Sequence, residues 1–589
     1  MNRIINIIES EVKKGFAANG YDDSYAKVVI SNRPDLCEYQ CNGAMAIAKK
    51  EKKNPFEIAE AVVESLKGNE AFEAIEAVKP GFINIKISEG FLTDYVNDML
   101  SDTERFGDEK TKAARTIMLD YGGPNIAKPL HIGHLRSAVI GEAIKRMAIF
   151  CGNTVIGDVH LGDWGLQMGL VISELKERKP DLPYFDSSFA GEYPDTPPFT
   201  LAELEEIYPF ASAKSKEDEE FKKKALQATY DLQHGNRGYM ALWHHIVNTS
   251  VADLKKNYNR LNVSFEMWKG ESDVQNLIPS MVSFMKDRGF AYESEGALVV
   301  DVKEETDKKE IPPCMILKSD GASLYNTTDL ATLLDRKNNV NPDLIIYVVD
   351  NRQDLYFTQV FRCAKKTGIV GPETELIFHG FGTMNGADGK PFKTRAGGVM
   401  RLESLLDEIE QQMYEKIMST GNMSEKEAKE TSAKIALSAV KYGDLSNQSS
   451  KDYIFDPAKF TSFEGNTGPY ILYTIVRIKS ILEKYKQAGG DLSDLKMRNS
   501  NSEVEKSLRL TLSRFNGLIS DAFDELAPHK LCAYIYELSN SFNKFYHETN
   551  ILKEEDKDLQ KSYISLLYLT AGVLELVIDK LGFSAPSRM

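Results

Sequence analysis

The sequence predicts a multidomain α/β protein. A doubly wound parallel sheet with insertions sits between a small α+β N-terminal domain and an all-α helical bundle. Three observations carry this. Apolar runs at 117–119, 153–158, 344–350 and 375–381 alternate with helical periodicities, the pattern of strand–helix–strand crossovers. Residues 81–87 alternate apolar and polar with a period of two, as in a half-buried strand. Beyond about Glu403 only helical periodicity remains. A chain of 589 residues is too long for one core, so domains are expected at 1–105, 106–400 with an insertion at about 180–311, 401–455 and 456–589.

In chain order, Ile4, Ile7, Ile8 and Val12 mark an amphipathic helix. Strand signals follow at 25–31 and 81–87, with helices at 42–49 and 55–66 between them. No cleavage-site pattern and no membrane-length apolar run is visible, so a cytoplasmic protein is expected. The six cysteines stand at 37, 41, 151, 314, 363 and 532. Only the first two are close, and they lack the further ligands zinc would need, so no zinc is expected. The net charge of -15 and pI of 5.3 argue against a general polyanion binder, although a local basic face stays open.

The stretch 116–150 is the centre of the pattern. Ile117, Met118 and Leu119 lead into Asp120 and Tyr121, then a Gly-Gly-Pro turn. Leu135, Val139, Ala143 and Met147 recur on one helical face. The loop between them carries His131, Ile132, Gly133 and His134. A helix N-terminus has free N–H groups and a positive dipole end, suited to phosphate. Gly133 lets a ligand approach, and two imidazoles can donate hydrogen bonds to phosphate. A strand at 153–158 and a helix opened by Gly162–Gly169 come next.

Between about 180 and 311 a Pro-rich segment and a charged helical run, 214–258, read as an insertion. Lys216–Lys224 reads as a solvated face, and Phe265–Ser272 is given no role. The sheet is expected to resume near Ile316, with Ser323–Asp329 as a strand and turn entering a helix. After the 375–381 strand, residues 386–398 hold four Gly, two Lys and one Arg, a basic loop suited to a pyrophosphate leaving group. Helices are expected at 402–418, 424–442, 468–487, 503–524, 530–549 and 558–580.

His131–His134, with Pro124-Asn125-Ile126-Ala127-Lys128 before it and Arg136-Ser137 after it, resembles the ATP motif of arginyl-tRNA synthetases, a class I family. Residues 41–50 resemble that family's N-terminal domain, which contacts the tRNA elbow. Thr467–Tyr470 with Arg477, and the ending Ala585–Met589, resemble its anticodon-binding domain. The resemblance implies a Rossmann-type catalytic domain. It puts ATP on His131, Gly133, His134, Lys390, Lys393, Thr394 and Arg395, and arginine on Asp120, Gly123, Pro124, Asn125, His134, Tyr325, Asp329 and Gln353. An acidic, planar site suits a guanidinium, whose forked donors match carboxylates.

Two departures accompany the resemblance. Asp120 stands where many family members have Glu. The second class I motif, Lys-Met-Ser-Lys-Ser, reads Pro391-Phe392-Lys393-Thr394-Arg395, so both lysines are out of register. Many arginyl enzymes share this, and those lacking the loop lysine carry one just before the first motif, here Lys128. Lys128 is therefore a candidate catalytic cation, with Lys393 and Arg395 as competitors and His131 and His134 as the other catalytic groups. The implied partners are L-arginine, ATP with Mg2+, and tRNA(Arg), which in this family is bound before the amino acid is activated. A monomer with no membrane partner is expected. The rival readings are a class I synthetase of other specificity and a non-catalytic RNA-binding or regulatory paralogue. Both pocket carboxylates and the intact first motif argue against loss of catalysis.

Overall fold

A computed structural model describes residues 1–110, 113–128, 130–386, 388–390, 400–419 and 422–589. The chain divides into two compact units. One is Lys112–Thr461 with Leu581–Phe583; the other is Met1–Thr111 with Ser462–Lys580 and Ser584–Met589.

The first unit is built on a four-stranded parallel sheet. Its strands β1 (Thr116–Tyr121), β2 (Thr154–Asp158), β3 (Leu344–Asp350) and β4 (Glu375–Phe381) stand in the order β4-β3-β1-β2. Ile117, Met118, Leu119, Ile345, Ile346 and Val348 are all fully buried. Burial on both faces explains why the central strands β1 and β3 read as continuous apolar runs. The helices are α1 (Ile132–Phe150), α2 (Leu166–Arg178), α3 (Tyr325–Asn339) and α4 (Asp354–Thr367). From β1 the chain moves to β2 on one side and later to β3 on the other. The crevice at the carboxyl ends of β1 and β3 is therefore the topological switch point, where such sheets bind ligands.

The insertion holds the helices Leu201–Glu217, Glu219–Gln233 and Arg237–Arg260, followed by a shorter one, Ile278–Asp287. Within it Lys222 pairs with Glu219 and Lys223 with Glu220, so much of the charge run is matched locally. Ile316 does not resume the parallel sheet. Residues Ala291–Ser294, Ala297–Val300 and Cys314–Leu317 form a separate antiparallel sheet. The cause is a two-residue hairpin at Glu295-Gly296, with φ 51° and 81°. Of the strand and turn expected over Ser323–Asp329 no strand forms, and the helix they were to enter, α3, already starts at Tyr325.

The second unit combines a four-stranded antiparallel sheet with a helical bundle. Val28–Ile30 pairs with Tyr39–Cys41, which pairs with Phe82–Ile87, which pairs with Phe72–Val78. The predicted helix 503–524 is two helices, Glu503–Ser513 and Leu518–Asp524. The break is at Gly517, where φ is +84° and a Cβ would lie 2.0 Å from Arg3 Nε. Arg3 uses that space to form a forked pair with Asp521 at 2.8 and 2.9 Å. The last helix, Lys557–Lys580, is long and apolar enough to cross a membrane, contrary to the sequence reading. It is a core helix, with 72% of its apolar window buried within the protein.

The packing of α1 on β1 is tightest at Gly141. A Cβ there would lie 2.3 Å from the Tyr121 ring and 2.6 Å from its Cβ, which cannot swing aside. Tyr121 is further held by hydrogen bonds from its hydroxyl to Glu142 Oε2 (3.0 Å) and Ser264 O (2.8 Å). Gly141→Ala should therefore destabilise by about 1–2 kcal/mol, overpacking outweighing a helix-propensity gain of roughly 1 kcal/mol. A lowered urea midpoint checks this, and an unchanged or raised midpoint contradicts it.

Candidate active site

The turn after α1's N-terminus is set by its two histidines. His131 is the N-cap of α1, and its Nδ1 accepts from the Gly133 amide at 3.1 Å. His134 Nδ1 accepts from the His131 amide at 3.2 Å. The rings lie 3.8 Å apart. The His-X-X-His spacing is thus a reciprocal cap. Gly133 is required because a Cβ would come within 2.9 Å of the His131 ring. Each Nδ1 acts as acceptor, which puts the proton on Nε2 and leaves a donor for a ligand. Burial and then the charge of Lys128 lower the His131 pKa. Burial, His131 and Lys128 bring His134 down to about 3, so it is neutral at pH 7.

The first-turn amides are less available to phosphate than the sequence suggests. The Gly133 amide is taken by a histidine ring, His134 N donates to His131 O at 2.8 Å, and Ile132 N donates to Met400 O at 3.1 Å. Imidazole N–H groups and nearby cations are left to meet an anion.

At the switch point lies a cavity of about 330 Å³. Of the predicted residues, Asp120, Gly123, Asn125, Gly133, His134, Asp329 and Gln353 line it. Pro124 stands just outside and accepts from Gly162 N at 3.2 Å, which aligns Asn125 with Gly162. Tyr325, at the start of α3, is 66% exposed and is not part of the lining. Lys128 Nζ lies 5.1 Å from the Tyr208 ring centroid, over an insertion helix. Lys390 closes a turn, its carbonyl accepting from Gly386 N at 2.7 Å. Lys393, Thr394 and Arg395 lie outside the described residues.

The floor is a cross-strand row. Tyr347, Asp120 and Asp158 are direct register partners on β3, β1 and β2. Arg336, from α3 and 1% exposed, donates from Nη2 to Asp120 Oδ2 (2.6 Å) and Asp158 Oδ2 (2.7 Å), and from Nη1 to the Tyr347 hydroxyl (2.9 Å). One oxygen of Asp120 is therefore already engaged. The Asp329 carboxylate accepts from the Tyr356 hydroxyl. Burial pushes its pKa up, against that hydrogen bond.

Among the lining residues that the sequence did not assign to the site are Glu271, His160 and Asp350. Glu271 belongs to the stretch given no role. Asp158 bridges to Met267 and Leu161 to Gly270, so this stretch runs beside the chain that continues from β2. Burial, with Asp163 and Asp329 nearby, pushes Glu271 up to about 7. His160 sits between Asp158, 3.9 Å from Nδ1, and Thr332 Oγ1, 3.4 Å from Nε2.

In the second unit, a groove of about 860 Å³ is lined by Arg477, Lys484, Lys486, Tyr473, Tyr546 and Arg588, among others. The Arg477 guanidinium lies 4.7 Å from the Tyr473 ring centroid and 5.1 Å from that of Tyr546.

Three family profiles match the chain. They are "tRNA synthetases class I (R), catalytic domain" over residues 95–457, "DALR anticodon binding domain" over 471–589, and "Arginyl tRNA synthetase N terminal domain" over 2–87. A protein of Agathobacter rectalis named Arginine–tRNA ligase is 64% identical over 597 residues, covering 100% of both chains. One of the same name from Alkaliphilus oremlandii is 54% identical over 589 residues, again covering 100% of both. The solved arginyl-tRNA synthetase of Plasmodium falciparum matches with a TM-score of 0.79 at 25% identity, over 100% of each chain. That of Thermus thermophilus matches in fold, with a TM-score of 0.77 at 20% identity and 100% coverage of each.

Removing the floor guanidinium should unsettle the sheet. Arg336→Met leaves two buried carboxylates without their partner, a loss of about 3–5 kcal/mol for a broken buried pair. The variant should show a lower denaturant midpoint, and Asp158→Asn in the same background should recover part of it. A midpoint equal to that of the parent protein would refute this account of the floor.

Proposed function

The chain belongs to the arginyl-tRNA synthetase family, and from that premise we propose that it activates L-arginine with ATP and charges tRNA(Arg). The arginine carboxylate attacks the α-phosphorus of ATP, pyrophosphate leaves, and arginyl-adenylate forms. The 3′-terminal ribose hydroxyl of tRNA then attacks the arginyl carbonyl, the acyl–phosphate bond breaks, and AMP leaves as the arginyl ester forms. The observation that carries this reading is the acidic cavity at the switch point, directly beside the paired histidines.

Each residue has a task in this reading. Asp329 and Glu271 hold the guanidinium, since forked donors need carboxylates and an Asp120 oxygen is already held by Arg336. Asp120 adds negative charge and shapes the floor, with Asn125, Gln353 and the Gly123–Pro124 turn around the amino-acid end. Tyr325 closes the arginine site from α3. His131 and His134 donate from neutral Nε2–H groups to ATP, over Gly133. Lys128, whose charge reaches both rings, is the cation for the growing phosphate charge. Lys390, Lys393, Thr394 and Arg395 complete the phosphate side. Magnesium enters as part of the ATP complex, held mainly by phosphate oxygens. The groove around Arg477 suits unpaired bases, which stack on aromatic rings and guanidinium planes, and supports the C-terminal helices as the anticodon-binding domain. The N-terminal domain would take the tRNA elbow. The protein works as a cytoplasmic monomer.

The direct test is ATP–pyrophosphate exchange across amino acids, with and without tRNA(Arg). Exchange should be specific for arginine and should require tRNA; exchange with another amino acid, or none with arginine plus tRNA, refutes the reading. Asp329→Asn should lower kcat/KM for arginine by about 10²-fold or more, as for losing one partner of a buried charge pair. Normal activation by that variant would remove Asp329 from the pocket.

The pKa of Glu271 adds a pH test. Only the carboxylate holds a guanidinium. In the free enzyme Glu271 is protonated below about 7, so arginine binding must expel that proton at low pH. Arginine KM should therefore rise as pH falls below 7 and level off above it. Glu271→Gln should flatten this dependence while raising KM throughout. A KM that stays flat from pH 6 to 8 in the parent enzyme would exclude Glu271.

A further inference from the structure

The chain that follows the second motif is paired to the first motif. Ile132 N donates to Met400 O at 3.1 Å and Leu402 N donates to Leu130 O at 2.9 Å, so His131 and Arg401 stand opposite in an antiparallel bridge. These bonds flank the pair. It is therefore of the non-hydrogen-bonded kind, with Cα atoms about 4.5 Å apart and both side chains on one face. Two ladder bonds are a thin attachment for a segment that carries the N-cap of α1.

A side-chain contact reinforces it. Arg401 Nη1 lies 2.8 Å from Glu205 Oε2, on insertion helix Leu201–Glu217. The Glu205 side chain is only 12% exposed. Asp253, on the helix Arg237–Arg260, shares with Glu205 a small cavity that Ala127 and Lys128 also line. Ala127 N donates to Ser250 Oγ at 3.2 Å on that same helix. Lys256 pairs with Glu403 at 2.7 Å, and Arg260 with Asp407 at 2.7 Å. The insertion thus grips both sides of the bridge: the 127–128 turn before His131, and the chain from Arg401 onward.

We infer that Glu205 is a positioning residue for the activation step: by holding Arg401 it keeps Met400–Leu402 paired with Leu130–Ile132 and so keeps the His131 imidazole set for ATP. This rests on the ATP-dependent arginine activation proposed above. Glu205 touches neither substrate. It acts through Arg401, and the cavity that takes arginine does not include either residue.

Charge reversal separates positioning from direct action on phosphate. In tRNA-supported exchange, Glu205→Arg and Arg401→Glu should each lower kcat by about tenfold or more, with arginine KM changed less than about twofold. The double variant, which restores the pair with its signs exchanged, should recover to within about threefold of the parent rate. Glu205→Gln, which keeps the side-chain volume, should lie between parent and reversal. Thermal midpoints and retained tRNA binding establish that each variant is folded. Single variants at the parent rate overturn the inference. So does a folded double variant that stays slow, which would make Arg401 a direct phosphate ligand. Should the double variant not fold, Glu205→Gln decides, and a parent-like rate overturns the inference. A parent enzyme without arginine-dependent exchange would instead defeat the functional reading itself.

Discussion

Arg336 joins three neighbouring strands at the point where the sheet meets its ligand cavity. Asp120 and Asp158 are register partners, so their side chains emerge on one face of adjacent strands. Two carboxylates on neighbouring strands in a buried setting repel each other unless a cation stands between them. A guanidinium between them, completed by the Tyr347 hydroxyl, makes the arrangement tolerable and keeps it ordered. The floor then carries one net negative charge. Asp329 and Glu271 add to it, and the accumulation is felt: Glu271 is driven up to about 7 with Asp163 and Asp329 nearby. In the arginine-binding reading proposed above, a second guanidinium enters this cavity by displacing the Glu271 proton. The acidity that recognises the ligand and the acidity that the fold must neutralise are one problem, and Arg336 solves the structural half.

The paired histidines follow a similar economy. Each ring uses Nδ1 to satisfy a backbone amide, and only Nε2 faces outward. Neutral imidazoles carry no charge, so in the reading proposed above the positive field at the phosphates comes from Lys128, the α1 dipole and the basic residues of 390–395. That is why the out-of-register second motif matters chemically. With no lysine in the usual places of the motif, the proposed cations are spread over several chain segments, and on that proposal the scaffold that holds those segments takes part in catalysis.

The central strands were legible because β1 and β3 are largely buried, and the apolar runs at 344–350 and 375–381 match β3 and β4 residue for residue. His131–His134 was legible because its reciprocal cap lies within four consecutive residues. Arg336 was not, since its partner Asp120 is 216 residues away and a basic residue near a helix end has many ordinary explanations. Glu271 was missed for a related reason. Its stretch is an irregular edge that bonds to the chain continuing from β2, and it has no periodicity of its own. The antiparallel sheet around Ile316 turned on one two-residue hairpin at Glu295-Gly296, which an expectation of continued alternation overrode.

Net charge was the least informative property. At -15 the chain repels polyanions on average, yet the groove around Arg477 presents Lys484, Lys486 and Arg588 beside Tyr473 and Tyr546. A phosphate responds to charges within about one Debye length, roughly 8 Å at physiological ionic strength, and not to the sum over a chain. Aromatic rings add a contribution that salt does not screen, because stacking depends on contact area. An acidic protein can therefore hold RNA where a few cations and rings converge. In the proposed tRNA-binding reading, the surrounding excess of Asp and Glu discourages nucleic-acid binding elsewhere on the chain.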